Sequence, residues 1–310
     1  MNPSILLCLS FLQIDQFVPA GFKGELFAIC SAVCWAIGAS VYRKGLEKTN
    51  ALTGNLIRTG FTSAGFFLLL ALNGSLSEAL HMLTPSLLFW LFFSAFFGFF
   101  LGDFLFLTAL KTIGVSRTVP VTCTYPLFVA LWVSFIYGIS VSIFLIVGMI
   151  LIIAAIKLMS EEKKPPQDER KLRISSRSVG IALLAAVCWS VSITVLDHLL
   201  LALSAEAVAG FRLMIAFLLS SAWGSKKSLV FSKHALLWIG IVGMVVLVSG
   251  NYFFLEAIRL VGSAKVAPIS SSYPIISIVF AAFFLKEKPT SKIIVGASLS
   301  FLGVMLVVLS

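Results

Sequence analysis

Charge is what this chain has least of. Only 12% of its 310 residues are Asp, Glu, Lys or Arg, and acidic residues are the scarcer kind, 13 against 23 basic. No glycine-rich phosphate loop with its lysine is present, so an ATP-driven pump is not expected. No stretch groups nucleophiles or metal ligands, which argues against an intramembrane enzyme, and neither a metal nor another cofactor is expected. The five cysteines show no paired spacing, which excludes a disulfide framework and leaves them as small apolar side chains. What remains is apolar: 59% hydrophobic residues, mean hydropathy +1.06 and 28 phenylalanines. A soluble domain of this length could not hide that much apolar surface. The net charge of +10 resides in connections rather than in a nucleic-acid-binding patch, so no nucleic-acid partner is expected.

The chain also repeats itself. Ala32-Val33-Cys34-Trp35 recurs as Ala186-Val187-Cys188-Trp189, and Arg58 recurs as Arg212, at a shift of 154 residues. Further on the shift is 148: Gly102, Phe106, Gly114, Pro120, Tyr125 and Pro126 match Gly250, Phe254, Gly262, Pro268, Tyr273 and Pro274. The change falls between Arg58 and Leu88, where a loop is expected.

A helix needs about 20 mainly apolar residues to cross ~30 Å of hydrocarbon. Ten stretches qualify: 25–41, 51–72, 86–110, 116–137, 139–157, 178–201, 205–223, 235–258, 263–285 and 293–310. The expected fold is all-α, ten transmembrane helices as two five-helix repeats, 24–158 and 178–310. An N-terminal arm (1–23) precedes them, and a charged linker (159–177), built on Glu161-Glu162-Lys163-Lys164-Pro165-Pro166, separates them. Five is odd, so the second unit is inverted, the arrangement of carriers.

Loop charge supports the inversion. The connection after span one carries Arg43, Lys44 and Lys48, and its counterpart carries no basic residue. The connections after spans two and four carry none, while their counterparts carry Lys226, Lys227 and Lys233, and Lys286, Lys288 and Lys292. One side collects eighteen basic residues, the other only Lys23, Arg259 and Lys265. The positive-inside rule then puts the linker in the cytoplasm and both termini outside a cell membrane.

Ionisable residues inside spans are costly and point to function. Arg58 and Arg212 lie near the starts of spans two and seven. Asp103 and its counterpart Asn251 lie near the ends of spans three and eight. Glu256 has Thr108 as its counterpart. Arg58 and Asp103 are expected at one depth, and Arg212, Asn251 and Glu256 at the mirrored depth. They are read either as structural pairs or snorkelling arginines, or as the lining of a cavity. In the second case an arginine holds a carboxylate or phosphate, and Asp103 or Glu256 carries a coupling proton.

Spans four and nine each carry two prolines six apart, Pro120 with Pro126 and Pro268 with Pro274, with Tyr125 or Tyr273 before the second. They are candidate cavity walls or hinges, because proline frees a carbonyl four residues back. Trp35 and Trp189 sit mid-span rather than at the interface, either as inward-facing gates or as packing. Gly98 and Gly102 suit close helix contact. His81 and His234 are expected to be solvated in connections, and Asp197 and His198 have no assigned role.

These residues resemble EamA domains: the Ala-Val-Cys-Trp stretch, the arginine of spans two and seven, and the Tyr-Pro of spans four and nine. The best match is Tyr273-Pro274 followed by Leu285-Lys286-Glu287-Lys288-Pro289. The resemblance spans nearly the whole chain and implies the drug/metabolite transporter superfamily, with ten helices, an inverted repeat and secondary transport of small metabolites. The first unit departs from it, with Tyr137-Gly138-Ile139 in place of the acidic turn. Relatives usually keep both termini in the cytoplasm, the reverse of the charge reading. The function expected is a secondary transporter of small organic metabolites, amino acids or other anion-bearing solutes, working by alternating access as one unit rocks against the other. The alternative is a lipid or lipid-linked sugar translocase of similar build.

Overall fold

The computed structural model describes residues 22–137, 143–160, 176–225, 229–271 and 273–308. Residues 1–21 and 161–175, which hold most of the expected arm and linker, lie outside it, as do Gly138 and Ile139. The described residues are helical and contain no strand. In chain order the helices are α1 (Lys23–Gly45), α2 (Ala51–Leu72), α3 (Leu76–His81), α4 (Pro85–Ile113), α5 (Val115–Thr122), α6 (Tyr125–Tyr137) and α7 (Ile143–Ser160). The second half comprises α8 (Ser176–Ile193), α9 (Leu196–Ala202), α10 (Ala205–Gly224), α11 (Lys233–Val261), α12 (Ser263–Ser270), α13 (Pro274–Phe284) and α14 (Ser291–Val308). Six helical stretches among the described residues are long and apolar enough to cross a membrane.

Helix starts are set by their capping residues. Asn50, Thr84, Ser204 and Ser232 each accept a backbone N–H from the first turn of α2, α4, α10 and α11. Pro85 occupies the first position of α4, where its missing N–H costs nothing.

Expected spans four and nine are not merely kinked. Each is broken in two, into α5 and α6 around Cys123–Thr124, and into α12 and α13 just before Pro274. Pro126 and Pro274 sit in the first turn of the later segment, the position a ring without an N–H tolerates. At the first break Thr124 Oγ1 donates to the Val121 carbonyl at 2.7 Å, adding to the bond that carbonyl takes from the Thr124 N–H. Expected span six is likewise divided, into α8 and α9.

The helices α4 and α11 are related by the 148-residue shift and have the same length, 29 residues. Each contains a wide π-helical stretch, but in different places: Phe96–Gly102 in α4 and Leu236–Val242 in α11. A π stretch rotates the helical turns beyond it, and such insertions concentrate at functional sites.

The main helix contacts run between the two sequence units. Helix α1 packs along α11, α2 along α10, α7 along α14, and α8 against α4. Small and polar residues occupy these seams. Asn55 Nδ2 donates to Ser220 Oγ at 3.4 Å, and Ser63 Oγ to the Gly210 carbonyl at 3.3 Å. The outer surface is the reverse: Ile143, Phe144, Ile146, Val147, Ile150 and Ile153 of α7 are all exposed, as are Leu72, Leu201 and Phe283. A large-apolar exterior over a small and polar interior suits a lipid solvent.

The broken helices begin without a cap of their own. Gly114 and Gly262, matched in sequence, precede α5 and α12 with φ of 79° and 82°. A carboxylate reaches each start from elsewhere. Glu287 accepts from the Val115 and Ser116 N–H groups, both at 2.9 Å, and from Ser116 Oγ at 2.6 Å. Asp197 accepts from Ser263 N–H at 2.9 Å and from its hydroxyl. Negative charge at a helix start meets both the orphan N–H groups and the dipole. The turn that aims Glu287 closes α13 through a left-handed residue: Lys286 takes φ 56°, and Glu287 N–H bonds back to the Ala281 carbonyl.

Candidate functional site

A cavity of about 100 Å³ lies where the two units interleave. Its lining comes from both. Trp35, Tyr42, Arg58, Phe99, Asp103, Phe106 and Tyr125 face Trp189, Leu196, Arg212, Leu247, Asn251, Phe254 and Tyr273, and each member of the first set is related to one of the second by a sequence shift. Ala39 and Ile193 form a further such pair, and only Gly98 and Ser192 of the lining lack a matched partner in it.

The rings are arranged by exchange. Trp35 packs on Phe254 at 4.8 Å between centroids and edge-on to Tyr273 at 6.2 Å. Trp189 packs on Phe106 at 5.1 Å and edge-on to Tyr125 at 6.3 Å. So each tryptophan rests on aromatic side chains of the other unit. A glycine opposite makes room. A Cβ at Gly102 would stand 2.7 Å from Trp189 Cδ1, and one at Gly250 2.9 Å from Trp35 Nε1. Gly98 is just as constrained: a Cβ there would meet Ser192 Oγ at 2.4 Å and Arg212 Nη2 at 3.1 Å. Tyr125 Oη crosses to α12, donating to the Ala267 carbonyl at 2.9 Å.

The polar groups do not repeat. Arg58 forms an ion pair with Asp103 inside the bundle, and both are almost fully buried. Its guanidinium also lies 5.0 Å from the Tyr42 ring centroid. Asp103 Oδ1 accepts a second bond, from Trp189 Nε1 at 2.9 Å. Arg212 is equally buried, at 4% exposure, but has no carboxylate partner among the described residues. Its Nη2 donates to Ser192 Oγ at 2.8 Å, its guanidinium stacks 4.6 Å from the Phe99 ring centroid, and its Nε has no acceptor among the described residues. Ser192 Oγ in turn donates to the Ser94 carbonyl at 2.7 Å. Asn251 Nδ2 donates back to the Leu247 carbonyl of its own helix at 3.0 Å.

The structure thus brings Arg58, Asp103, Arg212, Asn251, Tyr125, Tyr273, Trp35 and Trp189 around one cavity. It does not bring Glu256 there. That carboxylate is buried against Arg259, one turn on in α11, at 2.7 Å. Pro120 lies inside α5 and its carbonyl accepts from Ser300 Oγ at 3.1 Å; Pro268 lies within α12. His81 is exposed, whereas His234 is half-buried and its Nε2 bonds the Lys44 carbonyl at 2.9 Å.

Tyr42, Phe99 and Ser192 also belong to the site and stand out in no motif. Tyr42 lies two turns beyond Trp35 on α1, a spacing that would have flagged it.

The EamA-like transporter family matches this chain twice, over residues 22–161 and 176–309. An uncharacterized transporter of Archaeoglobus fulgidus is 31% identical over 286 residues, which cover 92% of this chain and 97% of that protein. A solved crystal structure of a protein 15% identical in sequence superposes with a TM-score of 0.67 over 91% of this chain and 94% of that one, a likeness of fold. With helices of membrane-spanning length and an apolar exterior around them, these matches identify a multi-pass membrane protein, and the chain belongs to the EamA-like transporter family.

Proposed function

We propose that the protein is a secondary transporter that carries a small, anion-bearing organic metabolite through the central cavity by alternating access. The observation that carries this reading is the cavity itself. It is lined by sequence-related residues from both units and holds a buried arginine, Arg212, with no carboxylate partner among the described residues. Polar groups kept inside a bilayer protein at that cost mark a path for a solute.

In this reading each unit crosses the membrane five times, the segments of a broken helix counting together, and the second unit is inverted. The loops at one end of the bundle support it: Lys111 Nζ bonds the Thr49 carbonyl, His234 reaches Lys44, and Glu287 reaches Val115. That end is the basic one, and by the charge rule it is cytoplasmic, with both termini outside. Because α1 is seated on α11 and α2 on α10, the bodies that move are mixed groups of helices rather than whole sequence units. The breaks at Cys123–Thr124 and before Pro274 are the natural hinges. Asp103, inside the cavity, is a better placed carrier of a coupling proton than Glu256.

Exchange of labelled solute by the purified protein in vesicles tests this. Arg212→Ala is expected to weaken substrate affinity at least tenfold; unchanged affinity in both Arg212→Ala and Arg58→Ala removes the anion-binding role. For orientation, single cysteines are placed in a cysteine-free background. Gly74→Cys should react with an impermeant thiol reagent on intact cells and Lys48→Cys only after permeabilisation. The opposite pattern reverses the topology.

A further inference from the structure

The cavity presents the same cation twice but an anion only once. On one side Arg58 and Trp189 Nε1 both hold the Asp103 carboxylate. The related positions on the other side are Arg212, Trp35 and Asn251. Asn251 is neutral and spends its amide on its own helix. Arg212 has no carboxylate partner among the described residues, and Trp35 Nε1 lies against Gly250 just as Trp189 Nε1 lies against Gly102. Two donors of the kind that bind Asp103 are therefore built in a second time without a carboxylate between them.

We infer that the solute itself supplies the missing carboxylate, and that the preferred substrate class is an organic monoanion with an apolar, ring-like body. This rests on the transport reading and narrows it. The charged groups of the lining are Arg58, Asp103 and Arg212, a net single positive charge. A buried unpaired cation is costly, and one negative charge cancels it. A dianion would leave one negative charge uncompensated. A zwitterion such as an amino acid brings an ammonium as well, and the one carboxylate of the lining, Asp103, is already engaged by Arg58 and Trp189. Glu256, the buried acid of α11, is outside the lining and paired to Arg259. The body of the solute would meet Trp35, Phe254, Tyr273 and Phe99, whose rings favour a flat apolar group.

The test uses four probes on the purified full-length protein in detergent: benzoate, phenylalanine, phthalate and benzylamine, followed by quenching of intrinsic tryptophan fluorescence. Benzoate is expected to bind saturably and at least tenfold more tightly than the other three. Asn251→Asp places a carboxylate in the vacant position and should weaken benzoate at least tenfold without lowering the melting temperature. The exchange variant Asp103→Asn with Asn251→Asp moves the vacancy to Arg58 and should recover most of the benzoate affinity, a gain that misfolding cannot imitate. Absence of benzoate binding, equal binding of phenylalanine, or wild-type affinity in Asn251→Asp overturns the inference. Benzoate binding without exchange across vesicles would leave the inference standing and defeat the transport reading. Exchange of phenylalanine in preference to benzoate would do the reverse.

Discussion

Arg58 and Arg212 occupy related positions in the two units and are buried to the same degree, yet they live in different chemistry. Arg58 is held by a carboxylate, whereas Arg212 makes do with a hydroxyl and an aromatic face. The first arrangement is balanced in charge, because the carboxylate neutralises the guanidinium. The second is unfinished, and a site that must receive a charged solute has to be. A duplicated fold can thus divide labour: one copy holds its own charge pair while its twin stays open for a ligand.

The sharpest way to break this contrast is to remove the acid. Asp103→Ala strands Arg58 in the interior and should cost about 3–5 kcal/mol, whereas Asn251→Ala, which deletes one amide bond to its own helix, should cost about 1 kcal/mol. Thermal unfolding in mild detergent measures both, and equal losses would mean that the two sites are energetically alike. The glycines that precede the broken helices give a second test. Gly114→Ala meets both a positive φ and a Glu287 oxygen at 2.8 Å; Gly262→Ala meets the same φ, but its nearest neighbour is Asp197 Oδ1 at 4.0 Å. Positive φ with extended ψ is a glycine-only conformation that costs another residue about 1–3 kcal/mol, so Gly262→Ala should lose about that much and Gly114→Ala visibly more.

Next come the carboxylate caps. Glu287→Gln and Asp197→Asn keep the shape but remove the charge facing a helix start, and each should lower stability by about 0.5–2 kcal/mol. If only one does, the two broken helices are not anchored in the same way. The smallest effect is expected in the turn after α13. Lys286→Gly relieves a side chain held at φ 56° and should raise stability by about 0.5–1 kcal/mol, seen as a small rise in melting temperature.

Much of this was legible in the sequence, because lipid imposes a simple code. Long apolar runs mark helices, and α2 begins and ends where its run does, at Ala51 and Leu72. The cavity residues were legible because duplication writes them twice. What stayed hidden were relations across the chain. The prolines announced weak points in spans four and nine, but whether a helix bends or stops depends on what covers the freed groups, and those partners are distant. Glu287 and Asp197 were hidden for that reason, although a glycine in the capping position, unable to cap for itself, was a clue. Glu256 lies outside the cavity for a nearer reason: Arg259 stands three residues on, a spacing that pairs side chains on one helix face. The different positions of the π stretches in α4 and α11 left no mark in the matched residues.

The seating of α1 on α11 has a consequence for biosynthesis. The surface of α1 that holds Ser31 and Trp35 acquires its cover only when a stretch some two hundred residues later leaves the ribosome. At about 5–20 residues per second, α1 waits tens of seconds in the membrane for that cover, and Ser63 waits nearly as long for the Gly210 carbonyl. Asp103 arrives sooner, only 45 residues after Arg58. The pair they make can therefore neutralise the nascent half before its complement exists, while Arg212 arrives after Phe99 and Ser192, the groups it rests on.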